Sequence, residues 1–276
     1  MNLYSIDTGL FKLDGGALFG VVPKSIWQKS LSADENNLCS IAMRCLLIEE
    51  GNRLVLVDTG IGNKQDEKFF SHYYLHGSDT LEKSLNKNGF TKSDITDVFL
   101  THLHFDHVGG AVERVDGKLV PAFQNAVYWS NEKHWNWAIH PNEREKASFL
   151  RDNIIPIQES GQPAFITDSQ FDGLFDIRFV NGHTESMMLP QIRWRDRTIV
   201  YTADLIPTTA HLPIPYVPAY DMFPLQTLQE KKSFLEEAEE NNYILFFEHD
   251  SEEECCTLKR TEKGVRTGQL FNFKEI

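Results

Sequence analysis

The sequence predicts an α/β fold in one continuous domain over residues 1–276. Three observations predict it. Short apolar runs of strand length repeatedly end on a residue able to bind or support a metal. Polar segments with helical spacing of their apolar residues separate several of these runs. No internal repeat or low-complexity linker divides the chain, whose 276 residues suit a single α/β domain.

The elements follow in order. Leu46-Leu47-Ile48 and Leu54-Val55-Leu56-Val57 flank Glu49-Glu50-Gly51-Asn52-Arg53, the pattern of a hairpin of two buried strands. Residues 64–88 carry Phe69, Tyr73, Leu81 and Leu85 among polar neighbours, which predicts a helix broken near Gly77 and stopped by Gly89. Residues 131–151 read as helical, interrupted by Pro141. Residues 225–240 predict an amphipathic helix. Its apolar stripe is Leu225, Leu228, Leu235 and Ala238, and Lys231, Lys232, Glu236 and Glu239 lie on its polar face. A closing strand pair is expected around Lys263-Gly264.

Four apolar runs end on chemistry. Leu54–Val57 runs into Asp58, Val98-Phe99-Leu100 into Thr101 and His102, Ile199–Ala203 into Asp204, and Tyr243–Phe247 into Glu248 and His249. Side chains at the carboxyl ends of buried parallel strands converge on one edge of a sheet, where α/β proteins bind ligands.

Composition narrows the partners. Lys and Arg number 27 against 40 Asp and Glu, a formal charge of −13, so a phosphate backbone is a poor partner. No apolar run approaches the roughly 18 residues that a spanning helix needs, and the first residues lack the pattern of a secretory signal. Cys39, Cys45, Cys255 and Cys256 form no CxxC and no regular framework, as expected of idle thiols in a reducing cytoplasm. The expected partner is a small-molecule substrate, with no nucleic acid and no membrane. Phe69-Phe70 and Tyr73-Tyr74 offer an apolar surface for a homodimer, or equally for core packing.

His102, His104, Asp106 and His107 place four metal-competent side chains within six residues. Histidines at i and i+2 of an extended segment point to the same side and can grip one ion. Asp106 and His107 follow a turn and can reach a second. Gly109-Gly110 then permits close backbone approach. Imidazole with carboxylate suits Zn²⁺, with Mn²⁺ or Fe²⁺ as alternatives. Further ligands must come from downstream, where His183, Asp204 and His249 are the candidates. His72, His76, His134 and His140 fall in predicted helices and read as surface or packing residues.

Thr101-His102-Leu103-His104-Phe105-Asp106-His107, followed by Gly109-Gly110, resembles the HxHxDH motif of the metallo-β-lactamase superfamily. Val57-Asp58-Thr59-Gly60, Gly182-His183-Thr184, Ala203-Asp204 and Glu248-His249-Asp250 resemble its other motifs, in the same order. The resemblance implies an αβ/βα four-layer sandwich with a dinuclear metal site at the sheet edge. It implies His102, His104 and His183 on one ion, Asp106, His107 and His249 on the other, and Asp204 as the bridging carboxylate. Asp58 would orient a ligand imidazole. Two Zn²⁺ and a bridging hydroxide would make the chain a hydrolase, with Asp106 a candidate for proton transfer to the leaving group. Histidine at position 104 separates the chain from the flavodiiron redox proteins of similar fold, which use Glu there.

Two segments resemble the quorum-quenching lactonase-like branch of the superfamily, which implies N-acyl-homoserine lactones or related esters as substrates. One is Asp14–Trp27, which contributes Phe19 and Trp27 as candidate pocket residues. The other is Asp204–Met222, a loop holding four of the 11 prolines together with His211, a candidate substrate contact. Lactonases of that branch place a Tyr three residues after the bridging Asp, whereas this chain has Pro207. Tyr216 and Tyr220 are the candidates to supply the catalytic phenol instead. Glu185-Ser186 replaces the Pro-Gly of many relatives. A glyoxalase-II-like thioesterase and an organophosphate or phosphoester hydrolase are the alternative activities. A non-catalytic metal-binding scaffold is the weakest reading.

Overall fold

The computed structural model describes residues 1–275. The chain divides into two compact units that interleave in sequence. One comprises Met1–Gly9 with Met43–Leu174, and the other Leu10–Ala42 with Phe175–Ile276.

The first sheet has the order β1-β2-β3-β4-β7-β8. Its strands are β1 (Asn2–Asp14), β2 (Leu38–Glu50), β3 (Arg53–Val57), β4 (Asp97–Phe99), β7 (Val127–Ser130) and β8 (Pro163–Phe165). β5 (Val112–Val115) and β6 (Lys118–Pro121) form a separate hairpin. The predicted hairpin is β2–β3, antiparallel with Leu46 opposite Val57 and Glu50 opposite Arg53. β3, β4, β7 and β8 run parallel, so their carboxyl ends share one edge. Asp58 and the segment from Thr101 leave from that edge. β3 and β4 are buried on both faces, which is why they read as continuous apolar runs instead of alternating ones.

The second sheet has the order β15-β14-β13-β12-β11-β10-β9. Its strands are β9 (Gln170–Phe171), β10 (Phe175–Val180), β11 (Met187–Trp194), β12 (Arg197–Tyr201), β13 (Ile244–Phe246), β14 (Cys255–Thr261) and β15 (Gly264–Phe271). Its parallel pair is β12–β13, with Tyr201 opposite Phe246, and the chain leaves this pair toward Asp204 and His249. The expected closing strands are β14 and β15. The two parallel sets thus repeat one design, each delivering metal-competent residues from adjacent strand ends.

The helices are α1 (Gly15–Phe19), α2 (Lys24–Trp27), α3 (Glu67–Ser71), α4 (Leu81–Lys87), α5 (Phe105–Val108), α6 (Glu132–Ile139), α7 (Arg151–Ser160) and α8 (Pro224–Glu240). The single broken helix expected over residues 64–88 is two short ones, each capped by its own acceptor: Asp66 receives Phe69 N–H and Thr80 receives Lys83 N–H. Gly89, at φ 86°, ends the second as expected. The segment around Pro141 closes α6, but α7 was not anticipated, because Pro156 sits inside it.

The stripe assigned to α8 requires correction. Its buried residues are Thr227, Lys231, Phe234, Leu235 and Ala238, whereas Leu225 is 75% exposed. Lys231 enters the interior because backbone carbonyls receive its ammonium: it donates to the oxygens of His211, Pro213 and Tyr216 at 3.0, 3.1 and 2.7 Å. Among the described residues, no helix is long and apolar enough to cross a membrane. All four cysteines are buried and free.

Candidate metal centre

In the first unit the carboxyl edge of β3 and β4 carries Asp58, His102, His104, Asp106 and His107, all buried. Asp58 adopts φ 58°, a left-handed turn that Asp tolerates, and this swings its carboxylate under the next strand. It accepts from Thr101 N–H at 2.8 Å, from Thr101 Oγ1 at 2.7 Å and from His107 Nδ1 at 3.2 Å. His104 is extended, with ψ 152°, and caps α5, which turns Asp106 and His107 inward.

The ring partners fix each tautomer. Thr101 Oγ1 donates to Asp58, so it accepts from His102 Nδ1–H at 3.1 Å. His104 Nε2–H donates to Glu145 Oε1 at 2.9 Å, and His107 Nδ1–H donates to Asp58. The opposite nitrogens, His102 Nε2, His104 Nδ1 and His107 Nε2, therefore carry lone pairs. His102 Nε2 and His104 Nδ1 lie 3.1 Å apart. Two lone pairs at that separation repel unless a cation sits against both. A tetrahedral ion with bonds of about 2.0–2.1 Å holds its ligands roughly 3.3 Å apart. Asp106 Oδ1 is 3.8 Å from His107 Nε2.

The second unit is built on the same rule. His183 Nδ1–H donates to Asp221 Oδ1 at 2.9 Å, and His249 Nδ1–H donates to the carbonyl of Ala42 at 2.8 Å. Their Nε2 atoms face different oxygens of Asp204, at 3.0 Å from Oδ2 for His183 and 3.1 Å from Oδ1 for His249. A carboxylate whose two oxygens meet two imidazoles has the form of a bridge between cations. Ala203, at φ 41°, makes the sharp turn that aims it. Burial alone would lower the His183 imidazole, but Asp204 and Asp221 outweigh it and raise it to about 10. The position between those carboxylates thus calls for positive charge, from a proton or a metal.

Several supports went unread in the sequence. Glu145, 1% exposed, accepts from His104, from Trp137 Nε1 at 2.6 Å and from Asn142. His134, expected to be a surface or packing residue, is buried, and its Nε2 accepts Leu103 N–H at 2.8 Å, holding the loop between two histidines. Asp221 is itself held by Thr227 Oγ1 at 2.6 Å. None of these three shares a motif with the ligands, and only the fold brings them near. Removing an outer carboxylate of this kind lowers metal affinity by about 10–100-fold. Glu145→Ala is expected to show that loss in a competitive chelator titration, with the fold retained by circular dichroism.

Phe19, Trp27 and His211 come together as a continuous stack. Phe19 lies 4.9 Å from Trp27 and 4.6 Å from His211, with ring planes within 9° and 2° of parallel. All three are buried. His211 accepts from Thr208 Oγ1 at Nδ1 and donates from Nε2 to the carbonyl of Leu18 at 2.9 Å, so protein groups engage both ring nitrogens. Burial pushes its imidazole down to about 4 from an ordinary 6.5. The unfolded chain therefore takes the proton first as pH falls, and stability drops between 6.5 and 4. Urea unfolding of the wild type and of His211→Gln should show a shallower loss over this window in the variant.

Tyr220 stands edge-on to His183 at 5.8 Å, and Tyr216 edge-on to Phe19 at 6.1 Å. In the first unit, Phe69 and Tyr73 pack on Phe105 of the histidine loop, at 5.5 and 4.6 Å. Burial and the Asp106 carboxylate raise the Tyr73 phenol to about 12. Phe69 and Tyr73 are thereby engaged within their own unit, while Tyr74 is 53% exposed.

The profile of the metallo-beta-lactamase superfamily matches residues 44–249, more than half of the chain and inclusive of every candidate ligand. The chain belongs to the metallo-β-lactamase superfamily. It is 30% identical over 150 residues to a probable metallo-hydrolase of Mycobacterium tuberculosis, covering 49% of this chain and 46% of that protein. It is 26% identical over 129 residues to an N-acyl homoserine lactonase of Bacillus thuringiensis, covering 43% of this chain and 46% of that one. The chain thus spans about half the length of the curated relatives it matches. A probable metal-dependent hydrolase from Staphylococcus aureus superposes with a TM-score of 0.89 at 27% identity, over 98% of this chain and 96% of that one. The dizinc quorum-quenching lactonase AidC superposes at 0.81 and 22% identity, over 98% and 95%. This superfamily member has the α/β fold of the family and carries buried His and Asp residues that could hold a metal ion.

Proposed function

We propose that the two half-sets of ligands together hold two Zn²⁺ ions and that the chain opens lactones such as N-acyl-homoserine lactones, or cleaves related esters. The tautomers carry this reading. Five imidazoles each have one nitrogen committed to an outer protein partner, which turns the other nitrogen of each toward a further candidate ligand. His102, His104 and His183 would serve one ion and Asp106, His107 and His249 the other, with Asp204 between them. Mn²⁺ or Fe²⁺ suits the same donors. Bound divalent ions would supply a hydroxide near neutral pH and polarise an ester carbonyl.

The chain's own residues do the rest. Asp58, Glu145 and Asp221 accept the outward N–H of His107, His104 and His183, which fixes those rings against rotation. Asp106 would return a proton to the leaving alkoxide. The edge-on contact of Tyr220 with His183 favours it over Tyr216 as the phenol that would stand in for the Tyr replaced by Pro207. His211 holds the Pro-rich loop through both nitrogens and takes a structural role instead of touching substrate. Four buried thiols and the acidic surface fit a cytoplasmic enzyme of small molecules.

The lactonase relatives support lactones over the thioester and phosphoester alternatives. A hydrolysis panel of lactones, thioesters, phosphotriesters and simple esters, run with Zn²⁺ and with Mn²⁺, tests the choice. Turnover led by lactones of one acyl-length series supports the reading. Turnover led by thioesters or phosphotriesters rejects the substrate class.

A further inference from the structure

We propose that Lys231 is a positioning residue: its ammonium locks the Pro-rich loop at residues 211–216 and so sets how tightly the loop holds substrate. This rests on the proposed lactone hydrolysis, with the Asp204–Met222 loop, which resembles that of the lactonase-like branch, taken to border the substrate.

Lysine seldom enters a core, and Lys231 is 1% exposed in the middle of α8. Its ammonium has three donors, and each has a backbone carbonyl: His211 at 3.0 Å, Pro213 at 3.1 Å and Tyr216 at 2.7 Å. Pro213 and Pro215 have no N–H to donate; Tyr216 N–H closes one turn onto the Pro213 carbonyl at 3.0 Å, and Lys231 ties that turn to the carbonyls of His211 and Tyr216. Burial pushes the Lys231 ammonium down to about 7, and the Asp221 carboxylate opposes part of that shift. The loop is tied at a second point, where Asp250 accepts from Thr209 N–H and Oγ1 at 2.9 and 2.7 Å.

The neighbours of Lys231 on α8 serve the adjacent ligand loop. Thr227 donates to Asp221, the carboxylate behind His183. Glu230 accepts from Asn181 N–H and Gly182 N–H, both at 2.9 Å. A single helix face therefore sets the His183 turn through Thr227 and Glu230 and the Pro-rich loop through Lys231. The division predicts separable effects: Lys231 governs the loop and leaves the metal ligands in place.

Lys231→Met keeps the length of the chain and removes all three donors, and Lys231→Arg keeps the cation with a different donor geometry. The zinc-loaded full chain of each is compared with the wild type by zinc content, by amide exchange of residues 209–217, and by kcat and KM on a lactone series. Lys231→Met should retain wild-type zinc, speed loop exchange by on the order of tenfold or more, and raise KM by about tenfold with kcat within about threefold. Lys231→Arg should recover part of both effects. If Lys231→Met does not fold, Lys231→Gln, whose amide NH2 can still donate toward the loop carbonyls, carries the same comparison. Unchanged loop exchange overturns the proposal, as does a fall in kcat that tracks zinc loss. If no lactone is turned over by the wild type, the substrate reading fails, while the exchange measurement still decides the role of Lys231.

Discussion

Asp204→Asn is expected to lower kcat/KM by on the order of 10³-fold or more, with loss of at least one equivalent of metal. The carboxylate meets His183 through one oxygen and His249 through the other. An amide keeps the size but loses the charge and offers one acceptor where two are needed. Burial makes the loss severe, because Asp204 is 4% exposed and a polar group lost there is costly to replace. Steady-state kinetics paired with metal analysis reads both effects. A variant that keeps two metals and wild-type turnover would remove Asp204 from the site.

Gly109→Ala is expected to destabilise the fold by about 3–5 kcal/mol, lowering the melting midpoint by roughly 6–20 °C. A β-carbon at this position would stand 2.1 Å from the carbonyl oxygen of Ile61 and 2.4 Å from its carbon. These are backbone atoms and cannot rotate aside. Gly109 also offers its carbonyl to the buried Lys64 ammonium, just after the last histidine of the loop. The glycine keeps the loop closed against residues 59–62, where Gly110 N–H donates to Gly60 and Thr59 N–H to His107. Calorimetry with metal bound and with metal removed should show destabilisation in both states, since the clash is with backbone and not with the ion.

The strand ends were legible because buried parallel strands leave an uninterrupted apolar signature, and because polar residues at their carboxyl ends stand out against it. Asp58, His102, Asp204 and His249 all follow from that contrast. The i and i+2 histidines were legible because spacing alone puts them on one side. Glu145, His134 and Asp221 were hidden, since each acts through a hydrogen bond across 31 to 41 residues of chain. Lys231 was misread for a different reason. Helical periodicity sorts residues by polarity, and a lysine whose ammonium meets three carbonyls can violate that sorting despite the cost of burial. The same helix shows the converse at Leu225, apolar yet exposed within the first turn. α7 escaped because Pro156 counts against a helix interior, although its neighbours supply the buried residues Asn153, Ile154 and Ile157.

The central claim is that the two sets of histidines and Asp204 hold a pair of metal ions that the hydrolase needs. Stripping the protein with a chelator and titrating Zn²⁺ back while following lactone hydrolysis tests it most directly. Activity should be lost on stripping and return in proportion to added zinc, saturating at two equivalents per chain. Activity that survives chelation, or that saturates at one equivalent, would contradict the account.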